Sequence, residues 1–305
     1  MTAVIETRQL TKTYGPHRGI TEVDLAVEGG EVLGFLGPNG AGKTTTMRIL
    51  LDLIRPTGGR ASVFGIDAQA DPVAIHRRVG YLPGEFNLYD RLTGEQTMRY
   101  FANLRGGVDP AFQAELVERL DLDPSRKFRE YSKGNKQKVG LIVALQHRPE
   151  LLILDEPTSG LDPLVQQTFF ELVREAKAEG RTVFLSSHVI SEVERSCDRV
   201  AIIREGRLVR VDRVDALRDL AVREVELRFA GPVPTDEFER VDGVRSLVAD
   251  GHVLRMEVAG PISPVVRLAA RYELNDFDSH EPDLEEIFLA EYGRHGAEVP
   301  ADDRR

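Results

Sequence analysis

Nine residues near the N-terminus have the types and spacing of a phosphate-binding loop. Every fixed position of the pattern G-x-x-x-x-G-K-[ST] is met in the run Gly37-Pro38-Asn39-Gly40-Ala41-Gly42-Lys43-Thr44-Thr45. Glycines let successive backbone N–H groups approach phosphate oxygens without obstruction by a Cβ. Lys43 would then reach the β- and γ-phosphates, and the Thr44 hydroxyl would be a ligand for Mg²⁺. The run predicts a bound nucleoside triphosphate, but alone it does not separate kinases, GTPases, motor ATPases and transporter ATPases.

Two adjacent acids and one histidine could complete a hydrolytic site. Asp155 and Glu156 follow the apolar run 151–154, and His188 follows the apolar run 182–185 and two serines. Beside the phosphate loop, Asp155 would hold Mg²⁺ directly or through water, Glu156 would polarise an attacking water, and His188 would orient that water. The alternatives are that the acids only cap the next helix and that the histidine is structural. The phosphate loop makes the capping interpretation the minor one.

The flanking segments predict the elements that position these side chains. Residues 31–36 read as a strand before the loop and residues 46–54 as a helix after it, which is the context that the pattern needs. The apolar runs around 151–156 and 182–187 suit central strands of a parallel sheet, which are buried on both faces. Such sheets bind ligands at the carboxyl ends of their strands. We therefore predict an α/β core.

The N-terminal residues predict an antiparallel sheet, with strands over 4–10 and 20–27 and a turn over 15–19. Tyr14 stands at the start of this turn. A surface turn tyrosine and an aromatic that stacks on a nucleobase are both compatible with its position. Further along, Gly58 and Gly59 read as a turn before a strand over 61–65.

The patterns also predict how the chain divides. Apolar residues at helical spacing predict a helical subdomain at about 93–148 inside a core domain of residues 1–212. Strand and helix patterns then predict a small α+β accessory domain over 213–296, whose last helix spans 284–292. Residues 297–305 are expected to form a loose polar tail.

Composition limits the function classes. The chain of 305 residues has 40 basic and 50 acidic residues and a formal charge of −10, which argues against a general affinity for nucleic acid. The single cysteine, Cys197, excludes an intrachain disulfide framework and is expected within a helix. No run approaches the ~20 apolar residues of a membrane span, and no signal peptide is indicated. A cytosolic location is expected.

Several motifs in one order resemble the ATP-binding-cassette (ABC) family over about residues 4–212. The family's signature, usually Leu-Ser-Gly-Gly-Gln, resembles Tyr131-Ser132-Lys133-Gly134-Asn135. The run from Asp155 to Asp162 resembles its paired acids and D-loop, and His188 resembles its switch histidine. The resemblance implies a P-loop NTPase cassette with a mixed-sheet core, an antiparallel N-terminal sheet and a helical signature subdomain.

The resemblance also implies a mechanism that needs two cassettes. They would pair head to tail, so that each ATP lies between the phosphate loop of one and the signature of the other. Glu156 would be the general base, Asp155 and Thr44 would support Mg²⁺, and Tyr14 would stack on adenine. The second cassette is expected to be an identical chain, ATP binding would close the dimer, and hydrolysis would release it.

The chain departs from the family pattern at two places. Gly84, followed by Glu85, stands where the family has a glutamine that contacts Mg²⁺ and water, and Glu85 is a candidate substitute. Lys133 and Asn135 stand where the signature has glycine and glutamine, while Ser132 and Gly134 are kept. Contact of the signature with a γ-phosphate is expected to survive.

Similarity to the drug- and antibiotic-export branch favours the ATPase subunit of an exporter that works with separate membrane-spanning subunits. The similarity lies in residues 131–134 and in the segment 282–288 of the accessory domain. Such a subunit would sit on the cytoplasmic face of the membrane, with Phe86, Leu88 and Tyr89 available to a short helix of the membrane subunit. The alternatives are a soluble cassette ATPase acting on ribosomes or DNA, and a metabolite kinase, which leaves the signature unexplained.

Overall fold

The computed structural model describes residues 3–15, 17–85, 89–219 and 222–280. The chain divides into two compact units, Met1–Arg213 and Val214–Arg305. Phe86, Leu88, the predicted helix over 284–292 and the polar tail lie outside the described residues. Among the residues that are described, no helix has the length and apolar character that a membrane span requires.

The first unit alternates strands and helices. In chain order these are β1 (Ala3–Tyr14), β2 (His17–Glu28), β3 (Val32–Leu36), α1 (Lys43–Leu50), β4 (Gly58–Val63), β5 (Ile66–Asp67), α2 (Pro72–Arg78), β6 (Val79–Leu82), α3 (Gly94–Leu104), α4 (Pro110–Arg119), α5 (Lys133–Leu145), β7 (Leu151–Asp155), α6 (Pro163–Ala178), β8 (Thr182–Ser187), α7 (Ile190–Ser196), β9 (Arg199–Arg204) and β10 (Arg207–Arg213).

A six-stranded sheet forms the centre of this unit. Its strand order is β10-β9-β3-β8-β7-β6, and all neighbours are parallel except the β9–β10 hairpin. Every residue of β3, β7 and β8 is buried because hydrophobic clusters cover both faces. Leu36 pairs with Ser187, and Asp155 pairs with Ser186, so the carboxyl ends of these three strands meet. The predicted α/β core is confirmed, and the chemistry-bearing residues follow that shared edge.

A second, antiparallel sheet has the order β2-β1-β4-β5. The predicted turn at Gly58 and Gly59 was wrong, because both residues begin β4 and Gly58 pairs with Thr11 of β1. Gly59 adopts a φ of +71°, and a Cβ there would collide with the carbonyl of Gln9. Glycine therefore marks a close approach of two strands. The strand begins three residues earlier than predicted. The sequence alone does not distinguish a glycine in a turn from a glycine that allows two strands to approach closely.

Between β6 and β7 the described residues form three α-helices, and side chains define where each begins. Thr93 forms a capping box with Gln96 at the start of α3, Asp109 caps α4, and Ser132 caps α5 by accepting the Asn135 N–H at 3.2 Å. The inner face of α5 packs over β6 and contributes Val139, Leu141 and Ile142 to the core. The signature residues 132–135 therefore form the first turn of a helix that is anchored in the core.

The second unit contains α8 (Val214–Asp219), β11 (Val222–Phe229), α9 (Thr235–Glu239), β12 (Val244–Asp250), β13 (Val253–Ala259), α10 (Ser263–Ala269) and β14 (Leu274–His280). The sheet order is β12-β13-β11-β14, with all neighbours antiparallel. From β11 onwards this is the β-α-β-β-α-β arrangement of ferredoxin-like domains. The sequence patterns located β11, β13 and α10 but missed the two outer strands and α9.

The single cysteine does not lie in a helix, contrary to expectation. Helix α7 ends at Ser196, and Cys197 has an extended backbone that leads into β9. Burial raises the pKa of its thiol to about 12, so it is protonated at neutral pH. Cys197 is partly buried against the core, where a protonated thiol packs as a small apolar group.

Candidate nucleotide-binding and hydrolysis site

The phosphate loop connects β3 to α1. Gly42 precedes the helix with a φ of +112°, a conformation that favours glycine. No described side chain caps the N-terminus of α1, so its first N–H groups face the loop without an acceptor from that part of the chain. Such a helix N-terminus is suited to bind an anion.

Lys43 lies in the first turn of α1 and its side chain turns back over the loop. Its Nζ donates to the carbonyl oxygen of Gly37 at 2.5 Å and to that of Pro38 at 3.3 Å. The same atom is 3.2 Å from Oε1 of Glu156. A buried cation is thus placed between the phosphate loop and the acidic residue that follows β7.

Asp155 is fully buried at the end of β7, where two hydroxyl groups fix its carboxylate. Thr44 Oγ1 donates to Oδ2 at 2.7 Å, and Ser186 Oγ donates to Oδ1 at 2.6 Å. Ser186 Oγ also accepts the backbone N–H of Glu156 at 2.9 Å. Thr44 and Asp155 therefore present two neighbouring oxygen ligands of the kind that a hard divalent cation prefers.

Glu156 contacts both of the other predicted catalytic residues. Its Oε2 is 2.7 Å from Nδ1 of His188, while Oε1 faces Lys43. Its backbone has a φ of +50°, which is uncommon for a residue with a side chain. Such strained backbone is concentrated at functional sites, where the surroundings hold it in place. The carboxylate is 19% exposed and lies between a cation and an imidazole.

Gly84 lies directly against the buried carboxylate of Asp155. A Cβ at this position would be 3.1 Å from Oδ2 of Asp155, which is closer than ordinary van der Waals contact. Glu85 is exposed, and no hydrogen bond or ion pair joins it to another described residue. Nearby, burial and then the charge of Asp155 raise the pKa of Tyr81. In the altered loop, the backbone of Gly84 thus approaches the Asp155 carboxylate, and no side chain lies between them.

The signature helix touches the acidic segment from the same chain. Gln137 Nε2 donates to the carbonyl oxygens of Glu156 and Pro157, both at 3.1 Å. A Cβ at Gly134 would collide with the carbonyl of Gly160, so glycine permits α5 to approach the D-loop. Ser132 is exposed, and between residues 132–135 and 37–45 the described structure has no hydrogen bond or ion pair.

Two further predicted site residues, Tyr14 and Asp162, have local contacts only. Tyr14 is 44% exposed, Nζ of Lys12 is 5.3 Å from its ring centroid, and its ring packs over Gly19. Asp162 caps α6 by accepting the N–H groups of Leu164 and Val165. These backbone bonds, that of Val165 first, lower the pKa of Asp162.

The structure therefore joins Lys43, Thr44, Asp155, Glu156 and His188 by direct contacts, and it leaves the signature outside that network. Sequence reasoning missed the roles of two residues. Ser186 bonds the Asp155 carboxylate, and Gln137 donates to the backbone carbonyl oxygen of Glu156. One signal was available for Ser186. It is a hydroxyl residue at the buried end of an apolar strand, beside the predicted histidine.

The sequence of the chain is similar to those of known proteins. Residues 20–159 match the family described as ABC transporter. The chain is 33% identical over 306 residues to the bacitracin transport ATP-binding protein BcrA of Enterococcus faecalis, across 97% of this chain and 98% of that protein. It is 32% identical over 318 residues to the daunorubicin/doxorubicin resistance ATP-binding protein DrrA of Streptomyces peucetius, across 99% of this chain and 95% of that protein.

A solved structure gives the same assignment. The ATP-binding subunit of an ABC transporter superposes with a TM-score of 0.65 at 32% identity, across 70% of this chain and 92% of that one. Sequence similarity along nearly the whole chain, a shared fold and the phosphate loop therefore lead to one conclusion: the protein belongs to the ABC transporter family, as an ATP-binding protein that hydrolyses ATP.

Proposed function

We propose that the chain is the nucleotide-binding subunit of an exporter that uses ATP hydrolysis to drive efflux of a drug, an antibiotic or a lipid-like compound through separate membrane subunits. The observation that carries this proposal is the extent of the similarity. The alignments with the bacitracin and daunorubicin/doxorubicin proteins cover 97% and 99% of this chain, so they include the second unit as well as the cassette. The subunit would be peripheral on the cytoplasmic face of the membrane.

The contacts around the phosphate loop support specific catalytic roles. Glu156 is the general base that takes the proton of the attacking water, and His188, 2.7 Å from it, fixes the orientation of its carboxylate. Lys43 and the backbone N–H groups of residues 37–45 bind the phosphates and offset the charge that develops on them. Tyr14 stacks on the adenine ring.

Magnesium is the metal that the donor set fits. Thr44 Oγ1 donates to Asp155 Oδ2 at 2.7 Å, so the two oxygens that would hold the metal are adjacent. Both are hard oxygen donors, and Mg²⁺ commonly takes one or two protein ligands together with phosphate oxygens and waters. When bound, the metal would polarise the phosphate oxygens, while Ser186 keeps the Asp155 carboxylate facing Thr44.

A second cassette, in our proposal an identical chain, completes the site. The signature turn Ser132-Lys133-Gly134-Asn135 starts an exposed helix N-terminus that no described bond connects to the phosphate loop of its own chain. Pairing two chains head to tail would direct this N-terminus at a γ-phosphate. Asp162 and the D-loop before it would lie in that interface.

An apolar surface beside the altered loop is suited to the membrane subunit. Leu53, Tyr89, Tyr100 and Leu104 are exposed, and the rings of Tyr89 and Tyr100 lie 5.6 Å apart. Next to them, a cavity of about 260 Å³ is lined by residues that include Leu51, Leu53, Tyr81 and Phe101. We call Leu53, Tyr89 and Tyr100 with this cavity the docking surface. An amphipathic helix placed there would bury apolar side chains close to Gly84.

The proposal predicts that the docking surface is needed for assembly. The chain should co-purify with a membrane protein encoded beside it that has about six apolar segments of ~20 residues. We expect the double variant L53D/Y89D to lose most of this co-purification, because two charges replace exposed apolar contacts. The variant Val209→Asp, at an exposed apolar residue on β10, is the matched control. Thermal melting checks that each variant is folded.

Two outcomes would contradict the exporter role. One is a wild-type chain that neither co-purifies with such a membrane protein nor supports ATP-dependent efflux in cells expressing both. The other is co-purification that survives in L53D/Y89D at the level of the Val209→Asp control, which would place the membrane contact elsewhere on the cassette.

The altered loop gives a separate prediction. We expect Gly84→Ala to lower kcat about threefold to tenfold, because a Cβ 3.1 Å from Oδ2 would displace the Asp155 carboxylate from its position beside Thr44. Glu85→Ala should change kcat less than twofold, since Glu85 is exposed. Steady-state hydrolysis at saturating MgATP measures both. A tenfold loss in Glu85→Ala would instead show that Glu85 performs the role of the family's glutamine.

A further inference from the structure

One carboxylate outside the predicted site holds hydroxyl groups from two different segments. Oε1 of Glu192, in the first turn of α7, accepts a hydrogen bond from Thr158 Oγ1 at 2.6 Å. Its Oε2 accepts one from Ser187 Oγ at 2.6 Å. Hydrogen bonds of hydroxyl groups to a carboxylate are charge-assisted, and these distances are typical of strong ones. Glu192 therefore clamps Thr158 and Ser187 together.

The two clamped segments lead to different parts of the catalytic site. Thr158 lies two residues after Glu156, within the turn that Gln137 holds from the signature helix, and four residues before Asp162. Ser187 ends β8 and is directly followed by His188. The clamp therefore joins the D-loop, which carries the proposed cassette interface, to the strand end that carries the histidine.

Ordinary structural roles of a glutamate at this position do not account for the clamp. A glutamate in the first turn commonly accepts the N–H of the residue before the helix, but the N–H of Val189 is bonded to Ser187 Oγ instead. Glu192 also has no ion-pair partner among the residues that the structure describes. Thr158 and Ser187 are 5% and 0% exposed, so their hydroxyl groups have little access to water. Among the described residues, Glu192 is the one charged group that either hydroxyl contacts, and Ser187 Oγ is farther, at 3.2 Å, from the carbonyl oxygen of Val189.

We propose that Glu192 is a positioning residue for hydrolysis, which transmits the position of the D-loop to His188 and through it to the Glu156 carboxylate. The chain of contacts is continuous: Thr158, Glu192 and Ser187 by hydrogen bonds, His188 by the peptide bond, and Glu156 by the 2.7 Å contact. The inference rests on the proposed roles of Glu156 and His188 and on the D-loop as part of the cassette interface. Glu192 itself touches neither the phosphate loop nor Asp155 in the described structure.

Steady-state kinetics of the purified full chain test the inference. We expect Glu192→Ala to lower kcat about tenfold, because the loss of two charge-assisted bonds frees the segment that carries His188. The KM for ATP should stay within about twofold of wild type, because the phosphate loop is not contacted. The control Glu171→Ala, at a partly exposed residue of α6 that faces Arg119 at 3.9 Å, should leave both constants unchanged.

A double-mutant cycle separates transmission from a purely structural role. Thr158→Val should lower kcat and Thr158→Ser should restore most of it, because serine keeps the hydroxyl. Thr158→Val combined with Glu192→Ala should be no slower than Glu192→Ala alone, as expected for two residues acting through one contact. Thermal melting and ATP titration identify variants that have simply lost their fold.

The outcomes are distinct. Wild-type kcat in a folded Glu192→Ala chain, a lowered melting temperature with kcat unchanged, or fully additive effects in the cycle would overturn the positioning role while leaving the exporter proposal intact. A wild-type chain without ATP hydrolysis would instead contradict the catalytic roles on which the inference rests.

Discussion

Replacement of Glu156 by glutamine is expected to lower kcat for ATP hydrolysis by about 100-fold or more while ATP binding persists. Glutamine has nearly the same shape but does not accept a proton from water, and general-base catalysis contributes about 10²–10⁴-fold. Lys43, Thr44 and Asp155, which would hold the nucleotide and its metal, do not depend on the Glu156 side chain for their hydrogen bonds. Binding and chemistry should therefore separate in this variant.

A Glu156→Gln chain that binds ATP without hydrolysing it should also remain a dimer, because hydrolysis is proposed to release the cassette dimer. Glu156→Gln should elute as a dimer from a sizing column equilibrated with MgATP and as a monomer without nucleotide. Phosphate release measures turnover in the same samples, with Glu171→Gln as a control for the loss of one surface carboxylate. A monomer that hydrolyses ATP at the wild-type rate would show that Glu156 is not the base.

The elements around the site that the sequence located correctly are each defined by a short stretch of sequence. The phosphate loop is set by backbone conformation at Gly42 and by the neighbouring strand and helix, all within a few residues of each other. Likewise β7 and β8 were placed to within one residue, since largely apolar runs fix their limits. Strand order was not required to locate these residues.

The residues that were missed bond to partners that are distant in the sequence. Ser186 bonds Asp155 only because β8 lies beside β7, and Gln137 reaches Glu156 only because α5 packs on that strand end. In the second unit, β12 and β14 flank the sheet and have mostly exposed or partly exposed residues. Their sequences lack the apolar alternation that predicts a strand. Edge strands are formed there by pairing with β13 and β11 rather than by their own pattern.

Replacement of Lys43 by alanine should abolish measurable ATP binding while the cassette stays folded. Lys43 supplies the cation closest to the proposed γ-phosphate, 3.2 Å from the general base, and alanine has no donor to replace it. Alanine is also the strongest helix former, so α1 should persist through its first turn. We expect the dissociation constant for ATP to rise by about 100-fold or more, which corresponds to roughly 2.7 kcal/mol or more.

Calorimetric titration and thermal melting test this loss in complementary ways. ATP should raise the melting temperature of the wild-type chain, because a ligand that binds only the folded state stabilises it, and should leave that of Lys43→Ala unchanged. Lys127→Ala, at an exposed lysine before the turn Phe128–Glu130, should bind ATP like wild type. Equal affinities in Lys43→Ala and Lys127→Ala would mean that the backbone N–H groups of the loop bind the phosphates without the lysine. Loss of binding in Lys43→Ala alone would locate phosphate recognition at the side chain that also faces Glu156, so that one cation would serve both binding and catalysis.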